Sequence, residues 1–381
     1  MSDRIAAQIC FLREADRLKS VTRANLLLNG SRDENSAEHS WHVALFALIC
    51  APLAGQDVDV DRTIAMLILH DLVEIDAGDH PIHLDTDWDA VAQREQDAAD
   101  RLFGLLPEDQ AATLHELRAE FEANESPTAR FAKDIDRMQP VFQVLCADAP
   151  PPDHIDIVRD NLAQGRASTV AERLPDLTQT AFSLLNGNPV PANAFSERLD
   201  FLSEADALKQ VNRGSKLADL SRYENSAEHS WHIMLYALIL AEYAAPDVRL
   251  DRVIQMLLIH DIVEIDAGDN PIHGTVDAAA QAAKEDAAAD RLFGLLPADL
   301  GTRLHDLWHE FEGAESQDAI FAKAIDRFQV PVINLMNGGG TWADYNVTYP
   351  QIKARVGTPV SKGAPELWAW LSPQLKDFLP R

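Results

Sequence analysis

The sequence predicts an all-α protein built from one helical unit written twice. Three observations carry this. Apolar residues recur at helical spacing along most of the chain. Neither copy shows an Asn-Gly or Asp-Gly hairpin signal between alternating strands. Long segments also recur at a constant spacing of 190 residues. ENSAEHSWH at Glu34–His42 returns at Glu224–His232, and HDLVEIDAGDHPIH at His70–His83 returns as HDIVEIDAGDNPIH at His260–His273. FAKDIDR (Phe131–Arg137) returns as FAKAIDR (Phe321–Arg327). Such a unit is too long for a solenoid repeat and has the size of a domain. The Gly-, Pro- and Asn-rich stretch NGNPVPAN (Asn186–Asn193) divides the copies. The expected organisation is copy one at 1–186, a linker at 187–193 and copy two at 194–381.

The elements follow in order. SAEHSWHVALFALIC begins at Ser36, read as an N-cap, and continues as a mostly apolar helix. Asp61–Ile75 has an acidic start and an apolar interior, so it reads as one buried helix ending near Gly78. DAVAQREQDAADRLFGLL is an amphipathic helix bounded by Pro107, and DQAATLHELRAEFEA reads likewise. Phe131–Leu145 is a further helix, interrupted by Pro140 in copy one and Pro331 in copy two.

Composition bounds the partners. The chain has 381 residues, 46% hydrophobic and 25% charged, with a formal charge of −28. So acidic a surface repels nucleic acid polymers and anionic membranes, and a phosphorylated small molecule needs local cations or a metal. The best apolar run, Val43 to Ala54, is shorter than the roughly 20 residues a span requires. Charges interrupt the N-terminal segment, so it does not read as a signal peptide. Three cysteines without a CxxC pattern fit a reduced, cytoplasmic setting.

The chemistry gathers in a few polar residues. His39 lies near the start of one helix, His70-Asp71 near the end of another, and Asp136 on a third. Two imidazoles and two carboxylates suit Mn²⁺, Fe²⁺, Co²⁺ or Zn²⁺ and leave positions open for water and substrate. A His-Asp pair alone is weak evidence: His305-Asp306 is one, and its counterpart is His115-Glu116. The pair at 70/71 and 260/261 ends an apolar helix, where charge is costly unless liganded or exposed. Glu74 and Asp79 follow it, and Glu74 stands i+4 from His70 on one helical face.

The order EHS, HD, ExxxxGD and a distant Asp resembles the HD-domain metal-dependent phosphohydrolases. Within them the chain is most similar to the 5′-deoxynucleotidase subfamily, over nearly all of each copy. The resemblance includes Arg23 and Arg213 after LKxVxR, and the RxEN segment at Arg32/Glu34 and Arg222/Glu224. It implies one divalent ion per domain, held by His39, His70, Asp71 and Asp136 in copy one. In copy two the ligands would be His229, His260, Asp261 and Asp326. It also implies catalytic or substrate-facing roles for Glu74, Asp79, Glu264 and Asp269, and a phosphate contact for Arg23 and Arg213. The implied reaction removes phosphate from (deoxy)nucleoside 5′-monophosphates through a metal-activated water. Some members carry a Trp after the early Arg, near the sugar; Ala24 and Gly214 stand here, which leaves sugar preference open.

The subfamily is generally dimeric, so two fused copies are expected to pack as an internal pseudo-dimer in a monomeric chain. His42 and His232 are expected to pack near the first ligand rather than to ligate. An alternative adds His83/His273 and His115/His305 to the four ligands, the six-ligand set of a di-iron oxygenase. GGGTW at Gly338–Trp342 replaces DAPPP of copy one, so the two pockets are expected to differ in shape.

Overall fold

The computed structural model describes residues 2–84, 86–270 and 277–380. Copy one runs through α1 (Ser2–Ala15), β1 (Thr22–Leu26), β2 (Asp33–Asn35), α2 (Ser36–Cys50), α3 (Val60–Leu69), α4 (Glu74–Ala77), α5 (Trp88–Phe103), α6 (Glu108–Ala123), α7 (Pro127–Leu145), α8 (Pro152–Gln164) and α9 (Pro175–Leu185). Copy two repeats the order with α10 (Ser196–Ala205), β3 (Asn212–Lys216), β4 (Tyr223–Asn225), α11 (Ser226–Ile239), α12 (Leu250–Ile259), α13 (Glu264–Ala267), α14 (Ala278–Phe293), α15 (Ala298–Gly313) and α16 (Gln317–Met336). It then departs into α17 (Tyr349–Ile352), α18 (Thr358–Gly363) and α19 (Pro365–Phe378). The fold is all-α, two tandem bundles arranged as a pseudo-dimer. No helix among the described residues is long and apolar enough to cross a membrane.

Local chemistry accounts for the ends of the helices and corrects four readings. The cap of α2 is Asn35, not Ser36: its side chain accepts from the amides of Ala37 and Glu38 while Glu38 reaches back to the Asn35 amide. The segment read as one helix over Asp61–Ile75 breaks after Leu69. From there the bonds shorten to an i→i+3 pattern (Leu72 to Leu69, Glu74 to Asp71), which turns His70 and Asp71 inward before α4 begins. Pro140 and Pro331 do not interrupt their helices; α7 and α16 run through them, held by packing on both flanks. Each copy also carries a short antiparallel ribbon, β1–β2 and β3–β4. An Asn29-Gly30 turn closes the first, with Gly30 at φ 68°. Its flanks do not alternate, and the ribbon bears an irregular register, so the usual strand pattern is absent.

Every residue of α2 from Ser36 to Cys50 is buried. One flank packs on α3 and α7 of its own copy, the other on α11. A helix covered all round has no reason to be amphipathic. The interface is close to isologous: its central contacts recur with the copies exchanged, while peripheral ones such as Arg4 to Glu242 and Gln255 to Asp61 occur once. Trp41 donates its indole N–H to the Leu258 carbonyl (3.0 Å), and Trp231 does the same to Ile68 (3.0 Å). Asn35 donates to Glu228 (3.1 Å) and Asn225 to Glu38 (2.6 Å). His42 donates from Nε2 to the Leu202 carbonyl at 3.0 Å, and His232 to Leu12 at 2.8 Å.

Because His232 Nε2 donates, its Nδ1 lone pair accepts from the Lys19 ammonium, 2.9 Å away. Burial first, then that ammonium, hold His232 down to about 3 from an ordinary 6.5. The unfolded chain therefore takes up a proton as pH falls through 6.5 while the fold does not, so this group removes stability on acidification toward about 3. His232→Gln, which keeps one donor and one acceptor, should flatten the loss. Urea midpoints at about pH 7 and about pH 5 measure it, against the wild type, since other groups titrate too. Parallel slopes for the two proteins would contradict the neutral, buried imidazole.

Candidate functional site

The inward turn after α3, the start of α2 and the middle of α7 meet at one point. There His39 Nε2 lies 3.2 Å from Asp136 Oδ1, and His70 Nε2 lies 3.1 Å from Asp71 Oδ1 and 3.5 Å from Asp136 Oδ1. Copy two repeats this, with His229 Nε2 3.3 Å from Asp326 Oδ1 and His260 Nε2 2.9 Å from Asp261 Oδ1. The four sequence-predicted residues of each copy are thus brought together. Donor atoms of His39, His70 and Asp136 lie within 4.8 Å of one another, as do those of His229, His260 and Asp261.

The donor set fits a cation. His70 donates Nδ1–H to the Leu67 carbonyl (2.8 Å), and His260 to Leu257 (2.8 Å). His39 donates Nδ1–H to Gln139 Oε1 (3.1 Å). In each of these rings Nε2 then faces carboxylate oxygens, an arrangement that needs a positive charge between them, a cation or, failing one, a proton. His70 Nε2 and His260 Nε2 are buried and make no aligned hydrogen bond, despite the nearby carboxylates. The electrostatics agree. Burial opposes a charged His70, yet Asp71 and Asp136 outweigh it and push the imidazole up to about 10. Burial likewise opposes ionised Asp71, and His70 with Arg23 hold it down to about 2.

Arg23 reaches the site from β1. Its Nη1 donates to Asp71 Oδ2 at 2.8 Å, with Glu74 Oε1 at 3.6 Å and Asp79 Oδ1 at 3.8 Å. Arg213 makes the matching 2.5 Å bond to Asp261. The Arg23 side chain is only 14% exposed among these three carboxylates, so it is not a surface salt bridge. Glu74 accepts from Ser36 Oγ, and Glu264 from Ser226 Oγ, each at 2.5 Å. Burial and the neighbouring Asp71 raise Glu74 well above the usual carboxylate range, and burial raises Asp79 too. Glu264 and Asp269 are raised in the same way.

The six-ligand alternative does not assemble among the described residues. His115 packs edge-on against Phe103 and faces Asp100 at 3.9 Å, and His305 faces Asp290 at 3.1 Å. His83 is exposed in the loop after α4, and His273 lies outside the described residues.

Three pairs of residues received no role in the sequence reading, although Glu34 and Glu224 stand in its RxEN segment and Lys19 and Lys209 in its LKxVxR segment. Gln139 and Gln329 follow Asp136 and Asp326 by three positions, hence share a helix face with them. Glu34 and Glu224 lie behind the first histidine, with His229 Nδ1 3.3 Å from Glu224 Oε2. Lys19 and Lys209 reach these glutamates from the opposite copy. The available signal was the repeat itself, since all six recur at the same spacing.

The cavities over the two centres differ. That of copy one measures about 410 Å³ and includes Trp88, His154 and Arg166, with the Arg166 guanidinium 4.7 Å from the Trp88 ring centre. That of copy two measures about 300 Å³ and is lined in part by Thr341, Trp342 and Tyr345. Gly338, Gly339 and Gly340 take φ of 77°, 113° and 51° and turn the chain so that Thr341 Oγ1 donates to the Gly214 carbonyl (2.9 Å).

Comparison with known proteins places this architecture. A model of the HD domain matches residues 15–178 and again 205–368. The chain belongs to the HD-domain family of metal-dependent phosphohydrolases, with two copies of the domain in one polypeptide. It is 30% identical over 134 residues to 5′-deoxynucleotidase HDDC2 of Bos taurus, covering 35% of this chain and 64% of that one. The Homo sapiens protein of that name is 29% identical over the same coverage, and 5′-deoxynucleotidase hdd1 of Schizosaccharomyces pombe is 27% identical over 35% of this chain and 69% of its own. The chain thus spans less than two thirds of the length of the bovine and human relatives it matches. A crystallised "predicted metal-dependent phosphohydrolase" from Magnetospirillum magnetotacticum MS-1 is 41% identical, covering 49% of this chain and 99% of that one, with a TM-score of 0.47.

A cation that enters these centres should stabilise the fold. Mn²⁺ or Co²⁺ at 100 times its dissociation constant should add about 2.7 kcal/mol per site, seen as a raised thermal midpoint. Asp136→Ala with Asp326→Ala should remove the shift. A midpoint indifferent to both ions in the unaltered chain would contradict a cation site.

Proposed function

We propose that each copy is a phosphomonoesterase that removes the 5′-phosphate from (deoxy)nucleoside monophosphates. The observation that carries this reading is the convergence of two histidine lone pairs and two carboxylates beside a buried arginine, present in both copies. The relatives named 5′-deoxynucleotidase support the substrate class.

In this reading His39, His70, Asp71 and Asp136, and in copy two His229, His260, Asp261 and Asp326, hold one divalent ion each. When bound, the ion lowers the pKa of a water and neutralises phosphoryl oxygens. The protein's own groups do the rest. Arg23 and Arg213 bind and orient the phosphate through a planar guanidinium, which suits two phosphoryl oxygens at once. Glu74 and Glu264, raised by burial and fixed by a serine hydroxyl, take the proton of the attacking water. Asp79 and Asp269 line the same cavities and face the substrate beside the arginine. Lys133 and Arg137 line the copy-one cavity, and Lys323 and Arg327 the other, so each mouth offers cations on a chain of net charge −28.

Both centres work in this reading, with unequal substrate preference because Trp88 and Arg166 face Ala278 and Val356 in the repeat. Phosphate release with Mn²⁺ or Co²⁺ across a panel of nucleoside monophosphates tests it. Asp71→Ala and Asp261→Ala should each leave a large share of turnover and together leave none. A single change that silences the whole folded chain would refute two independent centres. Arg23→Ala with Arg213→Ala should cost about 10–100-fold in kcat/KM, the loss of a charged contact of roughly 1.5–3 kcal/mol. Unchanged kinetics would return these arginines to a purely structural role.

A further inference from the structure

Lys19 and Lys209 are wholly buried, with side chains 0% exposed. Each lies on the short helical turn after the first helix of its copy and projects into the other copy. Lys209 Nζ lies 2.5 Å from Asp206 of its own copy, but 2.6 Å from Glu34 Oε1 and 2.9 Å from His42 Nδ1 of copy one. Lys19 Nζ repeats the pattern, 2.5 Å from Asp16 and, across the interface, 2.7 Å from Glu224 Oε1 and 2.9 Å from His232 Nδ1. The donor atoms of Glu34, His42 and Asp206 lie close enough to hold an ion, as do those of Asp16, Glu224 and His232. The ammonium already fills that position.

The second oxygen of each glutamate points into the catalytic centre. Glu34 Oε2 is 3.7 Å from His39 Nδ1 and 3.9 Å from Arg23 Nε; Glu224 Oε2 is 3.3 Å from His229 Nδ1 and 3.8 Å from Arg213 Nε. Arg23 Nε, Arg213 Nε and Glu34 Oε2 are buried and have no hydrogen-bond partner of good geometry. One carboxylate therefore stands between a histidine and an arginine of the centre on one side and a lysine of the other copy on its other side. In copy one a glutamine completes the link: Gln139 Oε1 accepts from His39 while Gln139 Nε2 lies 3.2 Å from the same His42 that receives Lys209. In copy two Gln329 Nε2 lies 3.3 Å from Glu224 Oε1 and from His232 Nδ1.

We propose that Lys209 and Lys19 are positioning residues that act in trans. Lys209, through Glu34, sets the aim of His39 and Arg23 in copy one; Lys19, through Glu224, sets His229 and Arg213 in copy two. A carboxylate behind a metal-binding imidazole fixes its tautomer and ring orientation, and losing such support lowers metal affinity by about 10–100-fold. Neither centre is complete without the other copy. The inference rests on the proposed metal reading of the histidines.

The test is a crossed one in the full chain. Asp261→Ala leaves only the copy-one centre, and Asp71→Ala only the copy-two centre. Calorimetric titration with Co²⁺, together with its visible d–d spectrum, reads each centre without turnover. In the Asp261→Ala chain, Lys209→Met should weaken Co²⁺ binding by about 10–100-fold and alter the spectrum, while Lys19→Met should change affinity less than about twofold. In the Asp71→Ala chain the two lysines should exchange roles. A methionine leaves two buried carboxylates without their cation, so Lys209→Met/Asp206→Asn, which removes one charge of each sign, is titrated beside it and should show the same crossed loss. Equal losses from both lysines at both centres, or none, would overturn the inference while leaving the metal reading intact. An unaltered chain that takes up no Co²⁺ would overturn the metal reading and the inference with it.

Discussion

A buried ammonium must find its counter-charge within a few ångströms, and in this chain it finds much of it in the other copy. Removing such an ion from water costs several kcal/mol even after relaxation, and only well-placed carboxylates offset it. Burial pushes the Lys19 pKa down, but Asp16 and Glu224 outweigh it and raise it above the ordinary value. Lys209 is raised in the same way by Asp206 and Glu34. Pulling the copies apart would leave each cluster with charges exposed in the wrong number. The interface joins this requirement to the apolar contact of α2 with α11. His39 and His42 lie one turn apart on α2, so the helix that forms the interface also carries the site.

That arrangement explains how a strongly acidic chain can hold a centre for an anionic substrate. The carboxylates nearest the histidines are held ionised: Asp136 lies well below the ordinary range through His39 and His70, against the opposing effect of burial. Those farther out, Glu74 and Asp79, are raised. Neighbouring acids driven in opposite directions are the usual sign of divided labour, charge holding in one place and proton exchange in the other. Arg23 sits where the two groups meet.

Much of this was legible in the sequence. The repeat at constant spacing exposed the two tandem domains, the resemblance to a dimeric subfamily implied their pairing, and helical periodicity with Pro and Gly punctuation exposed the bundle. The tetrad His39, His70, Asp71 and Asp136 could be read because it occurs twice in the same order. The helix break after Leu69 was hidden, since an apolar run looks the same whether its bonds span four residues or three. The β1–β2 ribbon was hidden because β1 has no alternation to betray it. The lysines were hidden for a deeper reason. Lys19 stands in a segment of mixed charge where solvation is the ordinary expectation, and only packing against the other copy removes it from water.

Fusion of the copies also changes which residues can vary. In a dimer of identical chains every substitution falls on both pockets. In one chain carrying two copies it falls on one. Here the residues behind the centres, including the lysine, glutamate and glutamine of each support, are the same in both copies, whereas the cavity rims have parted. Trp88, His154 and Arg166 face Ala278, Asp344 and Val356. The rim positions lie on α5, on α8 and just beyond α8, and belong to one cavity alone. The supports lie in the interface, where altering one copy's lysine strands a carboxylate in the other. The physics thus separates the chain into a shared inner layer, in which the two centres depend on each other, and two outer walls that are free to select different ligands.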